Sequence, residues 1–127
     1  MTNDIAKLIL RLSVGIMMLF HGFHKMIHGI GGVKELTVSA GLPEFLAYGV
    51  YVGEVVVPIF ILLGTYARVA SLVLAVNMAV AIFLAYGNSL FLLGKQGAPL
   101  FELPFLYLVM SILIFMLGSG KYAFNSK

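Results

Sequence analysis

Four long apolar stretches separated by short polar ones constrain this chain more than any other feature of its sequence. Each runs for about 17 to 23 residues, and about 20 apolar residues in helical form cross the hydrocarbon core of a bilayer. In hydrocarbon no water is present to bond backbone N–H and C=O groups, so each stretch must satisfy them internally, as a helix does. The spans read as helices over about residues 5–27, 45–64, 67–86 and 101–117. Short connections fold them into one all-α domain over residues 1–127, an integral membrane antiparallel four-helix bundle. Composition agrees, with 61% hydrophobic and only 10% charged residues, where a soluble domain carries about a quarter charged. The lipid bilayer is the first expected partner. The net charge of +3 comes from Lys and Arg flanking the spans, which reads as a topology signal and not as a nucleic-acid surface.

The first span is interrupted by Arg11, His21, His24 and Lys25 and is followed by no small-x-small cleavage site, so it reads as a retained helix and not a cleaved signal peptide. The turn Gly64-Thr65-Tyr66-Ala67-Arg68 is too short to hold structure of its own, which forces the second and third spans into an antiparallel hairpin. An even number of spans puts both termini and this turn on one side. That side collects Lys7, Arg11, Arg68, Lys121 and Lys127, against Lys25, Lys34 and Lys95 opposite, so the positive-inside rule makes the termini cytoplasmic. Lipid gives no hydrophobic push between helices, and close approach at small residues replaces it. Gly49 and Gly53 in the second span and Ser71, Ala75 and Ala79 in the third supply such residues, for the bundle or for a homo-oligomer contact.

Chemistry requires polar groups inside the bundle. At about 100° per residue, Arg11, Gly15, Met18, Gly22 and Lys25 fall on one stripe of the first helix, two cations separated by two glycines. A cation at such depth points into the bundle or snorkels to the headgroups. Glu54 lies near the middle of the second span, followed by Val55, Val56 and Val57. An unpaired carboxylate there must take up a proton or find a partner, and intramembrane carboxylates are functional by default. Candidate partners are Arg11, His21 and Asn77; the alternative is a purely structural helix clamp. His21, His24 and His28 recur about one helical turn apart. A closed metal site would need a further ligand from another helix, for which Glu102 and Glu44 are candidates, so an interfacial cluster or surface proton transfer is expected instead of a metal. Glu102 opens the fourth helix, where a carboxylate complements the helix dipole. Together, Glu102, His21, His24, Lys25 and His28 are expected to gather at the end remote from the termini, as a polar funnel above Glu54. The chain contains no cysteine, so thiol relays, thiolate zinc sites and iron–sulfur clusters are excluded. A bis-His haem is disfavoured because all three histidines belong to one helix end, and no flavin or nucleotide motif is present.

The elements Leu10-Arg11-Leu12-Ser13-Val14-Gly15, His21-Gly22-Phe23-His24-Lys25, Gly41-Leu42-Pro43, Gly53-Glu54 with Leu62-Leu63-Gly64 and Arg68, Glu102-Leu103 with Leu106-Tyr107-Leu108, and Gly118-Ser119-Gly120-Lys121-Tyr122 follow one another in an order that resembles the DoxX family. The resemblance covers nearly the whole chain. It departs from the family pattern at Ser119, where a proline is common, and at Asn125, where an acidic residue is. It implies a four-helix protein of the bacterial inner membrane, related to the membrane subunit of thiosulfate:quinone oxidoreductases. By position it puts functional polar residues at Arg11, His21, Lys25, Glu54 and Glu102. The expectation from this resemblance is a quinone-interacting component of a redox system. In that reading Arg11, His21, Lys25 and Glu54 are expected to serve in the reaction, Asn77 and Glu102 to help bind the cofactor, and a partner protein or a substrate that reduces quinone directly to supply the electrons. Two other classes fit the same residues: a small proton-coupled transporter acting as a homodimer, and a non-catalytic membrane adaptor.

Overall fold

The computed structural model describes residues 2–86, 93–94, 97–99 and 101–124. Lys95, Asn125 and Lys127 lie outside them. The described residues are mainly helical and contain no strand, and the elements are α1 (Thr2–His28), α2 (Gly31–Ser39), α3 (Glu44–Leu63), α4 (Ala67–Tyr86) and α5 (Glu102–Leu117). The stretch between the first two spans therefore carries a helix of its own, α2, bounded by Gly29 and Gly41, both with positive φ. Helices α1, α3, α4 and α5 close a ring, with α1 packed on α3 and α5, and α4 packed on α3 and α5.

The distribution of polarity is inside-out. Arg11, Glu54, Ser71 and Ser111 are buried, whereas Ile9, Phe20, Val69 and Phe83 are largely exposed. A surface of that kind is stable only where the surroundings are as apolar as the side chains, and the buried polar groups must find partners among the helices. Ser71 and Ser111 do so within their own helices, donating to the carbonyls of Arg68 (2.9 Å) and Tyr107 (2.6 Å). Val14, Met18, Val57, Ile61, Leu74, Met78, Tyr107 and Ile114 fill the core between them.

Helices α1, α3 and α4 are long and apolar enough to cross a membrane. Helix α5 is apolar but has 16 residues, which at the helical rise is about 24 Å. It nevertheless runs the length of the bundle. Its first turn supplies Leu103 and Pro104 to a cavity shared with Lys25 near the far end of α1, while the segment after it returns to the beginning of α1, where the Lys121 N–H donates to Asp4 Oδ1 at 3.1 Å. Both ends of the described chain thus meet at one end of the bundle. The hairpin between α3 and α4 sits there too, closed by Gly64 at φ 75° with Thr65 N–H bonded to the Phe60 carbonyl, the arrangement that satisfies the last carbonyls of a helix.

Helix α3 is irregular in a way that matters for the site. It begins as a 3-10 turn (Glu44–Tyr48) and passes through a π-helical turn (Val52–Val56), in which the Val57 N–H bonds to the Val52 carbonyl. The cause lies in Pro58, which has no N–H to offer the carbonyl of Glu54 four residues back and whose ring would press against it. Inserting one extra residue into the turn removes the conflict and leaves the Glu54 carbonyl directed outward, against α1. A Cβ on Gly22 would run into that carbonyl, so only glycine lets α1 lie this close.

Candidate functional site

The close approach at Gly22 brings Lys25, one turn later on α1, level with Glu54. Lys25 reaches across to α3, and its Nζ donates to Glu54 Oε2 at 2.5 Å. The Tyr51 hydroxyl, from the turn before the π-helical residues, donates to the Lys25 carbonyl at 3.4 Å and ties the two backbones at this level. Glu54 is buried (4% exposed) while Lys25 is partly open. The carboxylate is therefore neutralised by a cation that keeps contact with the world outside the bundle.

This ion pair lies in the wall of a cavity of about 560 Å³, within the range usual for small-molecule sites. Helix α1 contributes Met18, His21 and Lys25, α4 contributes Val73, Val76, Asn77 and Ala81, and α5 contributes Leu103, Pro104 and Tyr107. Helix α2 lies across it with Val33, Leu36 and Thr37. Thr37 is buried and donates to the Val33 carbonyl at 2.8 Å, so it adds bulk without a free donor. The lining is mainly apolar, and its polar groups are those of His21, Lys25, Glu54, Asn77, Thr37 and Tyr107. The His21 ring meets that of Tyr107 edge-on, with centroids 5.7 Å apart and planes at 89°. Asn77 sits where its amide packs on Gly53, since a Cβ on Gly53 would come within 2.6 Å of the amide carbon.

Of the residues singled out from the sequence, the structure brings together His21, Lys25, Glu54 and Asn77. Arg11 is not among them. It belongs to the same α1 stripe and is fully buried, but at the opposite end, where its Nη2 donates to the Tyr122 carbonyl at 2.6 Å. Glu102 is exposed at the start of α5 and does not line the cavity. The funnel of histidines does not form either. His24 and His28 are exposed, with ring centroids 4.3 Å apart, and only His21 turns inward. Among the described residues no group of three or more His, Cys, Asp or Glu is placed to hold a metal ion. The partner of Glu54 is Lys25, not Arg11, His21 or Asn77. Sequence reasoning missed Tyr107 as a cavity residue; a hydroxyl-bearing aromatic one turn before Ser111 is a weak signal of an inward face.

Outside the spans, Lys34 of α2 lies 3.9 Å from Glu44 and 4.7 Å from the centre of the Tyr48 ring. Hydrogen bonding to Tyr48, aided by the Glu44 carboxylate, raises its pKa above the ordinary lysine value. The contact staples α2 to the 3-10 turn of α3 above the cavity.

A ring of apolar helices with a half-buried ion pair in the wall of a mainly apolar cavity defines a multi-pass membrane protein with an internal polar site. The chain belongs to the DoxX family, whose model matches residues 6–87. It is 33% identical over 124 residues to an "Uncharacterized protein" of Haemophilus influenzae, covering 93% of this chain and 87% of that one. It is also 28% identical over 125 residues to the Bacillus subtilis protein named "Putative oxidoreductase CatD", covering 96% and 86%. No solved structure matches the chain significantly.

Proposed function

We propose that this protein is a quinone-interacting component of a redox system in the bacterial cytoplasmic membrane. The observation that carries the reading is the Lys25–Glu54 ion pair set in the wall of an otherwise apolar cavity. An organic anion entering such a slot would compete with Glu54 for Lys25 and leave a buried carboxylate without its cation, which is costly. A neutral ring bearing carbonyl oxygens makes no such demand. It fills the apolar slot, and Lys25 can share its ammonium hydrogens between Glu54 and a ring oxygen. Reduction of a quinone to a quinol consumes two electrons and two protons. His21, Lys25 and Glu54 are groups able to pass protons, and they stand within one cavity. The electrons come from elsewhere, because a chain without cysteine offers no thiolate ligands for a cluster and no thiol couple. A partner protein, or a substrate that reduces the quinone directly, supplies them. The word oxidoreductase in the name of the Bacillus subtilis relative agrees with this assignment.

The test is binding of a quinone analogue to the purified protein in nanodiscs. Wild type is expected to bind. His21→Ala is expected to bind about ten- to a hundredfold more weakly, since an apolar pocket that loses one hydrogen-bond partner loses roughly 1–3 kcal/mol. Absence of binding to wild type removes the quinone reading. If, in addition, His21→Ala shifts the pH dependence of solute uptake into vesicles, the site belongs to a proton-coupled transporter.

A further inference from the structure

Arg11 does not line the cavity, yet it is almost wholly buried, at 1% exposed. Its Nη2 bonds to one neutral carbonyl, that of Tyr122, and its Nε and Nη1 have no partner among the described residues. A guanidinium is always charged and carries five donors in a fixed fork. Leaving it with a single backbone acceptor, about 14 Å along α1 from Thr2, exposes a full charge to a poorly polar environment. Its neighbours add to the imbalance. The segment 118–124 crosses this end of the bundle, held by the Ser119 hydroxyl on the Gly64 carbonyl (2.9 Å) and by the Phe124 N–H on the Leu63 carbonyl (2.7 Å). Under it lie Arg68, whose Nε would be 3.0 Å from a Cβ on Gly118, and Lys7, whose stem would be 3.1 Å from a Cβ on Gly120. Asp4 is the nearby acid, and its Oδ1 already accepts from the Lys121 N–H. Among the described residues none of Lys7, Arg11, Arg68 and Lys121 takes part in an ion pair.

We infer that Arg11, with Arg68 and Lys7, forms a binding site for a phosphate-class anion at the end of the bundle that carries the termini, with residues 118–124 as its cover. A phosphate group offers Arg11 the paired charged oxygens that its fork is shaped to receive, and Tyr122 contributes a weaker acceptor that such an oxygen can replace. Arg68 is exposed and meets the anion first. The same chemistry is presented by the headgroup of an anionic lipid and by free phosphate, and the site recognises the oxyanion in either.

The experiment measures the thermal unfolding midpoint of the full chain. One arm titrates inorganic phosphate against chloride at matched ionic strength in a non-ionic detergent. The other compares phosphatidylcholine nanodiscs with and without phosphatidylglycerol. The midpoint is expected to rise with phosphate or phosphatidylglycerol beyond the matched control, and the apparent affinity to fall about tenfold or more in Arg11→Gln and in Arg68→Gln, each of which removes a charge-assisted contact. A response to phosphate in detergent identifies the free ion as a sufficient ligand, and a response to phosphatidylglycerol alone identifies the headgroup. Should Arg11→Gln fail to fold, Arg68→Gln decides, because an exposed side chain can be replaced without disturbing the core. No rise in wild type in either arm, or an equal rise in wild type and the variants, overturns the site.

Discussion

Glu54 and Lys25 differ in burial, and the difference makes the two halves of the pair unequal. When Glu54 is replaced by Gln, Lys25 remains partly open and can turn its ammonium toward water or headgroups, so the stability cost is expected to stay under about 1 kcal/mol. Replacing Lys25 by Met strands a carboxylate that is 4% exposed. Breaking a fully buried pair costs about 3–5 kcal/mol, and the partial exposure of Lys25 brings the expected loss to about 2–3 kcal/mol. Unfolding of both variants in one detergent checks this. A Glu54→Gln protein that is stable and inactive identifies Glu54 as a proton or charge carrier. Equal loss of stability in the two variants would show that the pair is a symmetric clamp. That Glu54 needs a partner was legible in the sequence, since a carboxylate amid Val55, Val56 and Val57 is too costly to keep in a span without a partner or a task. Its partner was not, because depth counted from the ends of a span does not report which cation on α1 comes level with it.

At the scale of the helix, that register depends on Pro58 and Gly22. The stripe Arg11, Gly15, Met18, Gly22 is the buried face of α1, as its helical spacing predicts. The π-helical turn in α3 was invisible to periodicity, because one inserted residue shifts the face of everything before it without altering the apolar character of the span. Gly22→Ala places a methyl group against the Glu54 carbonyl, which is backbone and cannot rotate aside. The expected cost is about 1–3 kcal/mol, with weakened quinone-analogue binding as Lys25 and Glu54 separate. Gly49→Ala provides the contrast. Gly49 has φ −58°, and a Cβ there meets nothing within 4 Å. Alanine is thus expected to be neutral or to stabilise by up to about 1 kcal/mol through its helix propensity. The two members of the G-x-x-x-G pair consequently have different uses, because Gly53 is taken up against Asn77 inside the bundle. Denaturation of the two alanine variants in one detergent measures the contrast, and equal stability would remove the close contact between α1 and α3 as the organising feature.

For the whole molecule, the sequence carried the four apolar segments, the hairpin at Gly64 and the common end for both termini. Each can be read from segment length and turn length alone. The structure ties that end together through the Lys121 to Asp4 and Arg11 to Tyr122 contacts, so α5 runs beside the others through the bundle despite its 16 residues. Which side of the membrane this end faces depends on charge. Lys7, Arg11, Arg68 and Lys121 are at this end, and Lys25 and Lys34 are toward the other, so the terminal end is expected in the cytoplasm. If Arg11 and Arg68 hold a phosphate-class anion, the anionic leaflet reinforces the same orientation. The chain has no cysteine, so single cysteines give a clean readout with a membrane-impermeant maleimide. Ser39→Cys at the exposed end of α2 should be labelled in intact cells, and Asn3→Cys at the exposed start of α1 only after permeabilisation. Labelling of Asn3→Cys alone in intact cells would invert the orientation. The Lys25–Glu54 pair would then open toward the cytoplasm, and protons exchanged during quinone chemistry would be drawn from that side.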